Sequence, residues 1–268
     1  MTDCNLQSLL RAHRSIRAFK PDDVPTELTD GLLEAAILGS SSSGNLNTYA
    51  VVETRDAARK AELFRLHGEQ AMILQAPVML TFCAEARRTR DWLARHEARD
   101  NFNNFHGFLV AAFDALILAQ SMALACEAEG LGICYLGTTL NAAPEIARFL
   151  ALPPGTLPVT SLVLGWPAEV PQPRDRLPLA AYLHRERYQR AQPEQIDALY
   201  AQRDERGLQR YQSLSADARQ RWAEHGITSL AQFYTSELKY SPIAMQGISR
   251  ELLALLEQQD FMNNGDAA

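Results

Sequence analysis

Through about residue 165, apolar positions recur with two periods, and those periods predict the elements. Leu28, Leu32, Leu33, Ala35 and Ala36 share one helical face, so 25–38 reads as a helix, with Pro25 in its first turn after Asp22 and Asp23. Residues 5–13, 57–67, 70–75 and 142–150 read as shorter helices, and 88–100 as a charged amphipathic one. Short runs of β-formers predict strands at 49–54, 77–84, 133–136 and 159–165. The longest helical pattern, 102–129, is apolar nearly all round. Such a helix is buried on most sides, at a domain centre or a subunit interface. Asp114 interrupts its most apolar part, 107–126, and Gln120 follows, which argues against a membrane span.

Beyond this point the rhythm breaks. Pro167, Pro171, Pro173 and Pro178 make 167–178 an extended arm. After about 190 the pattern is polar and helical. It closes on a helix near 248–259 whose stripe of Ile248, Leu252, Leu255 and Leu256 is placed to wrap a second subunit. Two helices followed by short strands separated by helices point to an α+β or α/β sandwich with four or five strands.

Composition narrows the class. With 268 residues, 47% hydrophobic and 22% charged, the chain reads as one or two ordinary globular domains. The formal net charge of −6 argues against broad nucleic-acid binding but leaves room for a local basic pocket. The basic residues are uneven: Arg11, Arg14, Arg17 and Lys20 face only Asp3 in the first twenty positions. The polar turn Pro21-Asp22-Asp23 follows them, unlike the apolar run of a signal peptide. The cysteines, Cys4, Cys83, Cys126 and Cys134, form no C-x-x-C pair, so reduced thiols in the cytoplasm are expected. The histidines show no metal-ligand spacing, and no metal is expected.

His13-Arg14-Ser15-Ile16-Arg17 is the strongest local feature. Guanidinium forks and a hydroxyl suit a phosphate monoester, and on a helix His13 and Arg17 would share a face. The bland alternative is an exposed basic helix end. Arg174 and Arg176 form a second basic pair in the arm, of interest if the arm folds back to the first. Tyr135-Leu136-Gly137-Thr138 is a strand end running into a glycine turn that can offer backbone N–H groups. Ser40 to Asn45 is a short Ser/Gly loop held between a helix and a strand.

His13-Arg14-Ser15-Ile16-Arg17, Ser41-Ser42-Ser43-Gly44-Asn45-Leu46-Asn47, Gly68-Glu69-Gln70, Gly132-Ile133-Cys134-Tyr135-Leu136-Gly137, Leu164-Gly165-Trp166-Pro167 and Arg174-Asp175-Arg176-Leu177-Pro178 occur in an order that resembles the FMN-dependent nitroreductase superfamily. The NADPH-preferring oxygen-insensitive nitroreductases and FMN reductases are the subgroup resembled, over about residues 5–188. The resemblance implies an intertwined homodimer of three-layer α+β sandwiches, with a central, mostly antiparallel sheet. It implies one FMN in each of two interface sites. It places the flavin domain at 1–190 and a helical extension at 191–268 that contributes to the dimer and to active-site cover.

Carried over by position, His13, Arg14, Ser15 and Arg17 match residues holding the FMN phosphate and ribityl chain or neighbouring the ring. Arg174 and Arg176 match a second basic pair at the phosphate. Gln70 matches a contact to the ring or ribityl. Tyr135, Leu136, Gly137 and Thr138 match the segment along the ring near N5. Ser42, Ser43, Asn45 and Asn47 match a ring-edge loop of the opposing subunit. Two positions depart from the family pattern. Asn47 stands where glutamine is usual, and Thr138 where a second glycine is frequent, so its side chain either narrows access or donates a hydrogen bond.

The activity implied is ping-pong oxidoreduction, in which FMN takes a hydride from NADPH, or from NADH, and passes electrons to small acceptors such as nitroaromatics, quinones or free flavin. Arg203, Arg206, Arg210, Arg219 and Arg221 in the tail are candidates for an NADPH 2′-phosphate, against the bland reading of solvated charges. A flavin-binding sensor or storage protein with little turnover, and a dehalogenase or flavin-destroying branch, are the rival readings.

Overall fold

The computed structural model describes residues 5–213, 215 and 217–265. The chain forms two compact units: one runs through Pro173 and resumes at Ile248, and the other is Arg174–Gly247.

The first unit is built on one sheet of four antiparallel strands, in the order β1-β2-β4-β3, where β1 is Tyr49–Thr54, β2 Val78–Glu85, β3 Gly132–Leu136 and β4 Thr156–Gly165. This is the sandwich sheet expected, with four strands. Strand β4 begins three residues before the predicted 159. Pro158 hid the start, because proline cannot donate to a ladder. It is tolerated at the register irregularity between Phe82 and Cys83 of β2, where Pro158 pairs with Cys83.

Before β1 come α1 (Leu6–Ala12) and α2 (Thr26–Gly39). Between β1 and β2 lie α3 (Ala57–Leu66) and α4 (Met72–Gln75). After β2 come α5 (Arg87–Arg95) and α6 (Phe105–Ala128). Helix α5 stops five residues short of the expected 100, at His96, and Glu97 takes a φ of 51° that no helix can continue through. Helix α6 starts at 105 rather than 102 because the Asn104 side chain caps it, accepting from the Gly107 N–H at 2.9 Å.

One face of α6 is core: Ala115, Leu118, Ala119, Met122, Ala123 and Cys126 pack with Val78, Leu80, Phe82, Leu162 and Leu164 on one side of the sheet. Within the single chain, α6 is buried on this face only. Phe105, Phe113, Leu116 and Ile117 are 40–59% exposed on the same helix. By length and composition alone α6 passes the test for a membrane-crossing helix, but the central Asp114 is buried and bonded within the chain.

The other side of the sheet is covered by α3 and α4 through Leu63, Met72, Ile73 and Ala76, which cluster with Ile16, Phe19, Met79, Cys134 and Val163. Helix α7 (Ala143–Phe149) joins β3 to β4, and α11 (Pro242–Gln258) starts six residues before the predicted 248, with Pro242 at its first position. Leu255 and Leu256 of the α11 stripe are buried against Ala86, Ala143, Ala147, Leu157 and Phe261. The expectation that this stripe wraps a second subunit is therefore corrected: it covers the chain's own core. Cys83, Cys126 and Cys134 are buried free thiols, and Cys4 lies outside the described residues.

The second unit holds α8 (Pro193–Gln212), α9 (Ala218–Glu224) and α10 (Leu230–Tyr234). Trp222, Ile227, Leu230 and Phe233 form its core, with the Trp222 and Phe233 rings stacked at 4.5 Å. Gly207 allows the close approach, since a Cβ there would lie 2.6 Å from Leu230.

Candidate functional site

The basic segment does not continue α1. His13 caps that helix with extended dihedrals (φ −51°, ψ 131°), so the shared helical face expected for His13 and Arg17 is corrected. Residues 16–20 instead run beside the sheet. Ile16 N–H donates to the Ile133 carbonyl at 2.9 Å, Lys20 N–H to the Trp166 carbonyl at 2.8 Å, and Phe19 bridges Pro167. Two glycines make this docking possible. Gly132 and Gly165 face each other in register at the β3/β4 end. A Cβ on Gly132 would sit 2.8 Å from Ile16, and one on Gly165 would sit 2.5 Å from Pro77 and 3.0 Å from Phe19. Glu169 of the arm then accepts from the Arg17 and Ala18 N–H groups, at 2.5 and 3.1 Å.

Side chains of this segment are thereby presented rather than buried. His13 Nδ1 lies 2.7 Å from Glu127. Arg14 donates to the Ala12 carbonyl at 3.0 Å and the Pro171 carbonyl at 3.3 Å, and exposed Arg17 to the Ser15 carbonyl at 3.4 Å. Among the described residues, neither guanidinium has a carboxylate partner. Burial pushes the Cys134 thiol up, while Arg17 and a hydrogen bond with Ser15 pull the other way, which places all three together under the segment.

The Ser-rich loop is fixed by a residue that sequence reading used only to reject a membrane span. Asp114, 2% exposed in α6, accepts from the Ser42 hydroxyl, from Ser43 N–H at 3.3 Å, and from Thr48 N–H and hydroxyl at 3.3 and 2.8 Å. Ser42 in turn accepts from Asn47 N–H at 2.8 Å. Gly44, Asn45 and Asn47 sit at φ of 59°, 55° and 54°. Asparagine tolerates that region far better than most residues, which gives Asn47 a physical reason to stand where glutamine is usual. Its amide serves the loop, donating to the Asn45 carbonyl at 2.8 Å and accepting from the Tyr49 hydroxyl at 2.9 Å. The signal available in sequence was a lone carboxylate in an apolar helix near a loop rich in hydroxyl donors.

The β3 end forms the third element. Tyr135 is half-buried, and burial first, then Glu127, pushes its hydroxyl pKa up. Leu136 is buried, Gly137 is exposed, and a Cβ on Gly137 would meet nothing within 4 Å, so open space adjoins it. Thr138 is half-buried, and its Oγ1 lies 2.9 Å from both Gln70 Nε2 and His67 Nδ1. Sequence reading named Gln70 and Thr138 and missed His67, which is wholly buried.

In the first unit, then, the basic segment docks on the start of β3 at Gly132 and Ile133, and the Tyr135–Thr138 turn, with Gln70 bonded to Thr138, lies at the strand's other end. The Ser42–Asn47 loop is a separate surface anchored on α6. Arg174 and Arg176 are exposed residues of the second unit. Arg176 donates to the Arg174 and Asp175 carbonyls, and Asp175 pairs with Arg206 at 2.6 Å. Of the tail arginines, Arg203 lies over the Tyr200 and Tyr234 rings, Arg210 over Tyr211, and Arg221 pairs with Asp217.

FMN is the test case for these groups. Unneutralised Arg14 and Arg17 beside the Ser15 hydroxyl suit a doubly charged phosphate. The open space at Gly137 leaves room for a ring edge beside the turn. The residues present fit the group.

Comparison with known proteins agrees. Residues 10–166 match the model described as the nitroreductase family. The chain is 33% identical over 179 residues to the FMN reductase (NADPH) of Bacillus subtilis, covering 66% of this chain and 71% of the relative. It is 29% identical over 218 residues to the oxygen-insensitive NADPH nitroreductase of Salmonella typhimurium, covering 81% and 87%. Among solved structures, B. megaterium NfrA2 matches with a TM-score of 0.79 and 29% identity, over 96% of this chain and 98% of that one.

Proposed function

The chain belongs to the nitroreductase family, and on that premise we propose that it works by a ping-pong cycle, oxidising NADPH and then reducing nitroaromatics, quinones or free flavin in the same space. It is an NAD(P)H-dependent FMN oxidoreductase. Bound FMN supplies hydride acceptance and release.

The protein's part is to bind and to orient. Arg14, Arg17 and Ser15 hold the phosphate, joined by Arg174 and Arg176. His13 neighbours the ribityl chain, and Gln70 with Tyr135, Leu136, Gly137 and Thr138 lines the ring. Fixed N–H donors and positive charge favour negative charge on the ring without reorganising. Ser42, Ser43, Asn45 and Asn47 reach the ring edge from the opposing subunit of a homodimer. The exposed Phe113, Leu116 and Ile117 of α6 support that dimer, since apolar side chains in a row on one helix gain by being covered. The helical extension contributes to dimer and cover, and its arginines select NADPH.

The observation that carries the reading is the pair of guanidiniums on the segment docked at the start of β3, with backbone carbonyls as their only bonded partners among the described residues. The test is the purified protein's visible spectrum. A yellow protein whose flavin bands bleach with NADPH and recover with a nitroaromatic or quinone is expected. A protein that fails to take up added FMN would overturn the reading, and flavin uptake without turnover would point to a sensor.

A further inference from the structure

Thr138 departs from the glycine frequent in the family and brings a hydroxyl into the turn after β3. Oγ1 has one hydrogen to give and two lone pairs. Gln70 Nε2 donates to one lone pair at 2.9 Å, and to the His67 carbonyl at 3.0 Å, so both of its hydrogens are engaged. His67 Nδ1 lies at 2.9 Å. Two arrangements are open. Either Nδ1–H donates to Thr138, or Thr138 donates to a bare Nδ1.

The far nitrogen separates them. His67 is 0% exposed, and its buried Nε2 has no hydrogen-bond partner among the described residues. Burial pushes the imidazole pKa down to about 4, so near neutral pH the ring carries one hydrogen for two nitrogens. A hydrogen on Nε2 would be an orphaned buried N–H, which is rarer in folded proteins than an unfilled acceptor. A hydrogen on Nδ1 leaves only a lone pair there. Nδ1–H then fills the second lone pair of Thr138, and the hydroxyl hydrogen is directed at neither partner.

The geometry points to a neutral hydrogen-bond donor in the turn: His67 and Gln70 saturate the acceptor capacity of Thr138 and turn its O–H outward, toward the ligand that fills the space beside Gly137. His67 and Gln70 are positioning residues. The inference rests on the flavin reading above, under which that ligand is FMN. Under it, Thr138 donates a bond rather than narrowing access.

The test uses the full chain and FMN. Nitrogen-15 NMR of the His67 imidazole should show a protonated Nδ1, whereas a protonated Nε2 overturns the assignment. In fluorescence titration, Thr138→Val should raise the FMN dissociation constant about 3- to 10-fold and alter the visible flavin bands, as expected for loss of one neutral hydrogen bond. Thr138→Ser should stay within about twofold of wild type, since it keeps the donor. His67→Phe should weaken FMN binding in the wild-type background and add nothing in the Thr138→Val background. Wild type that binds FMN with Thr138→Val unchanged overturns this inference alone. Wild type that takes up no FMN overturns the flavin reading and this inference together.

Discussion

The loop from Ser42 to Thr48 and the segment from His13 to Arg17 sit in one unit and are assigned to one cofactor, yet they are held by different forces. The loop owes its shape to a buried carboxylate, Asp114, with four donors converging on it. The segment owes its place to backbone hydrogen bonds and to two glycines that let Ile16 and Phe19 lie against the strands. Its guanidiniums project from that mount and, among the described residues, bond only carbonyls. The loop is thus complete before any ligand arrives, and the segment is completed by one. Stability and affinity should therefore separate between the two.

The largest effect falls on the loop. Asp114→Ala leaves the Ser42 hydroxyl, the Ser43 N–H and both donors of buried Thr48 without their acceptor. Orphaned buried donors cost about 1–3 kcal/mol each, so a loss of roughly 3 kcal/mol or more is expected. For a chain of this size that lowers Tm by roughly 6–12 °C. Calorimetry checks it, and a Tm within about 2 °C of wild type would show that the loop does not depend on Asp114.

The segment should behave in the opposite way. Arg17→Ala is expected to leave Tm nearly unchanged, because the Arg17 side chain is exposed and, among the described residues, bonds only a carbonyl at 3.4 Å. Its FMN dissociation constant should rise about 10- to 100-fold, for loss of a charge-assisted phosphate contact of about 1.5–3 kcal/mol. Arg14→Ala should do the same. Raising salt from about 0.05 to 0.5 M should weaken FMN binding in wild type and weaken it less in either variant, since ionic screening acts on the exposed charges. Equal loss of Tm and of affinity in Arg17→Ala would erase the distinction between the regions.

This difference also explains what the sequence could and could not reveal. Strands and most helices were legible because their apolar periods are plain, as in Leu28, Leu32 and Ala36 of α2. The basic segment was visible as a charge cluster, but its helical phase was misread. Nothing local announces that Gly132 and Gly165, more than a hundred residues downstream, accept Ile16 and Phe19. Asp114 was read as a carboxylate out of place, since its four donors lie 66–72 residues away. His67 carried no signal at all, because a lone histidine acquires meaning only from the burial and hydroxyl around it. The α11 stripe was seen correctly as apolar and assigned to another subunit, because amphipathicity names a face without naming what covers it.

His67 offers the smallest and most specific test, because it asks whether the β3 turn is preassembled like the loop or waits for a ligand like the segment. Its folded pKa, about 4, lies below the ordinary 6.5. Between these values the unfolded chain binds a proton that the folded chain refuses. The stability contribution is therefore fully present above pH 6.5 and declines as pH falls toward 4. From pH 7 to 5.5 the loss attributable to this residue should be about 1 kcal/mol, since one pKa unit corresponds to 1.36 kcal/mol. The measurement is urea unfolding of wild type and His67→Phe without added FMN across that range, taking the difference in slope so that carboxylate contributions cancel. A wild-type stability that falls more steeply than that of His67→Phe places the turn with the preassembled loop. Parallel slopes would mean that His67 opens to water in the free protein, and that the turn, like the arginines, takes its final form only around a ligand.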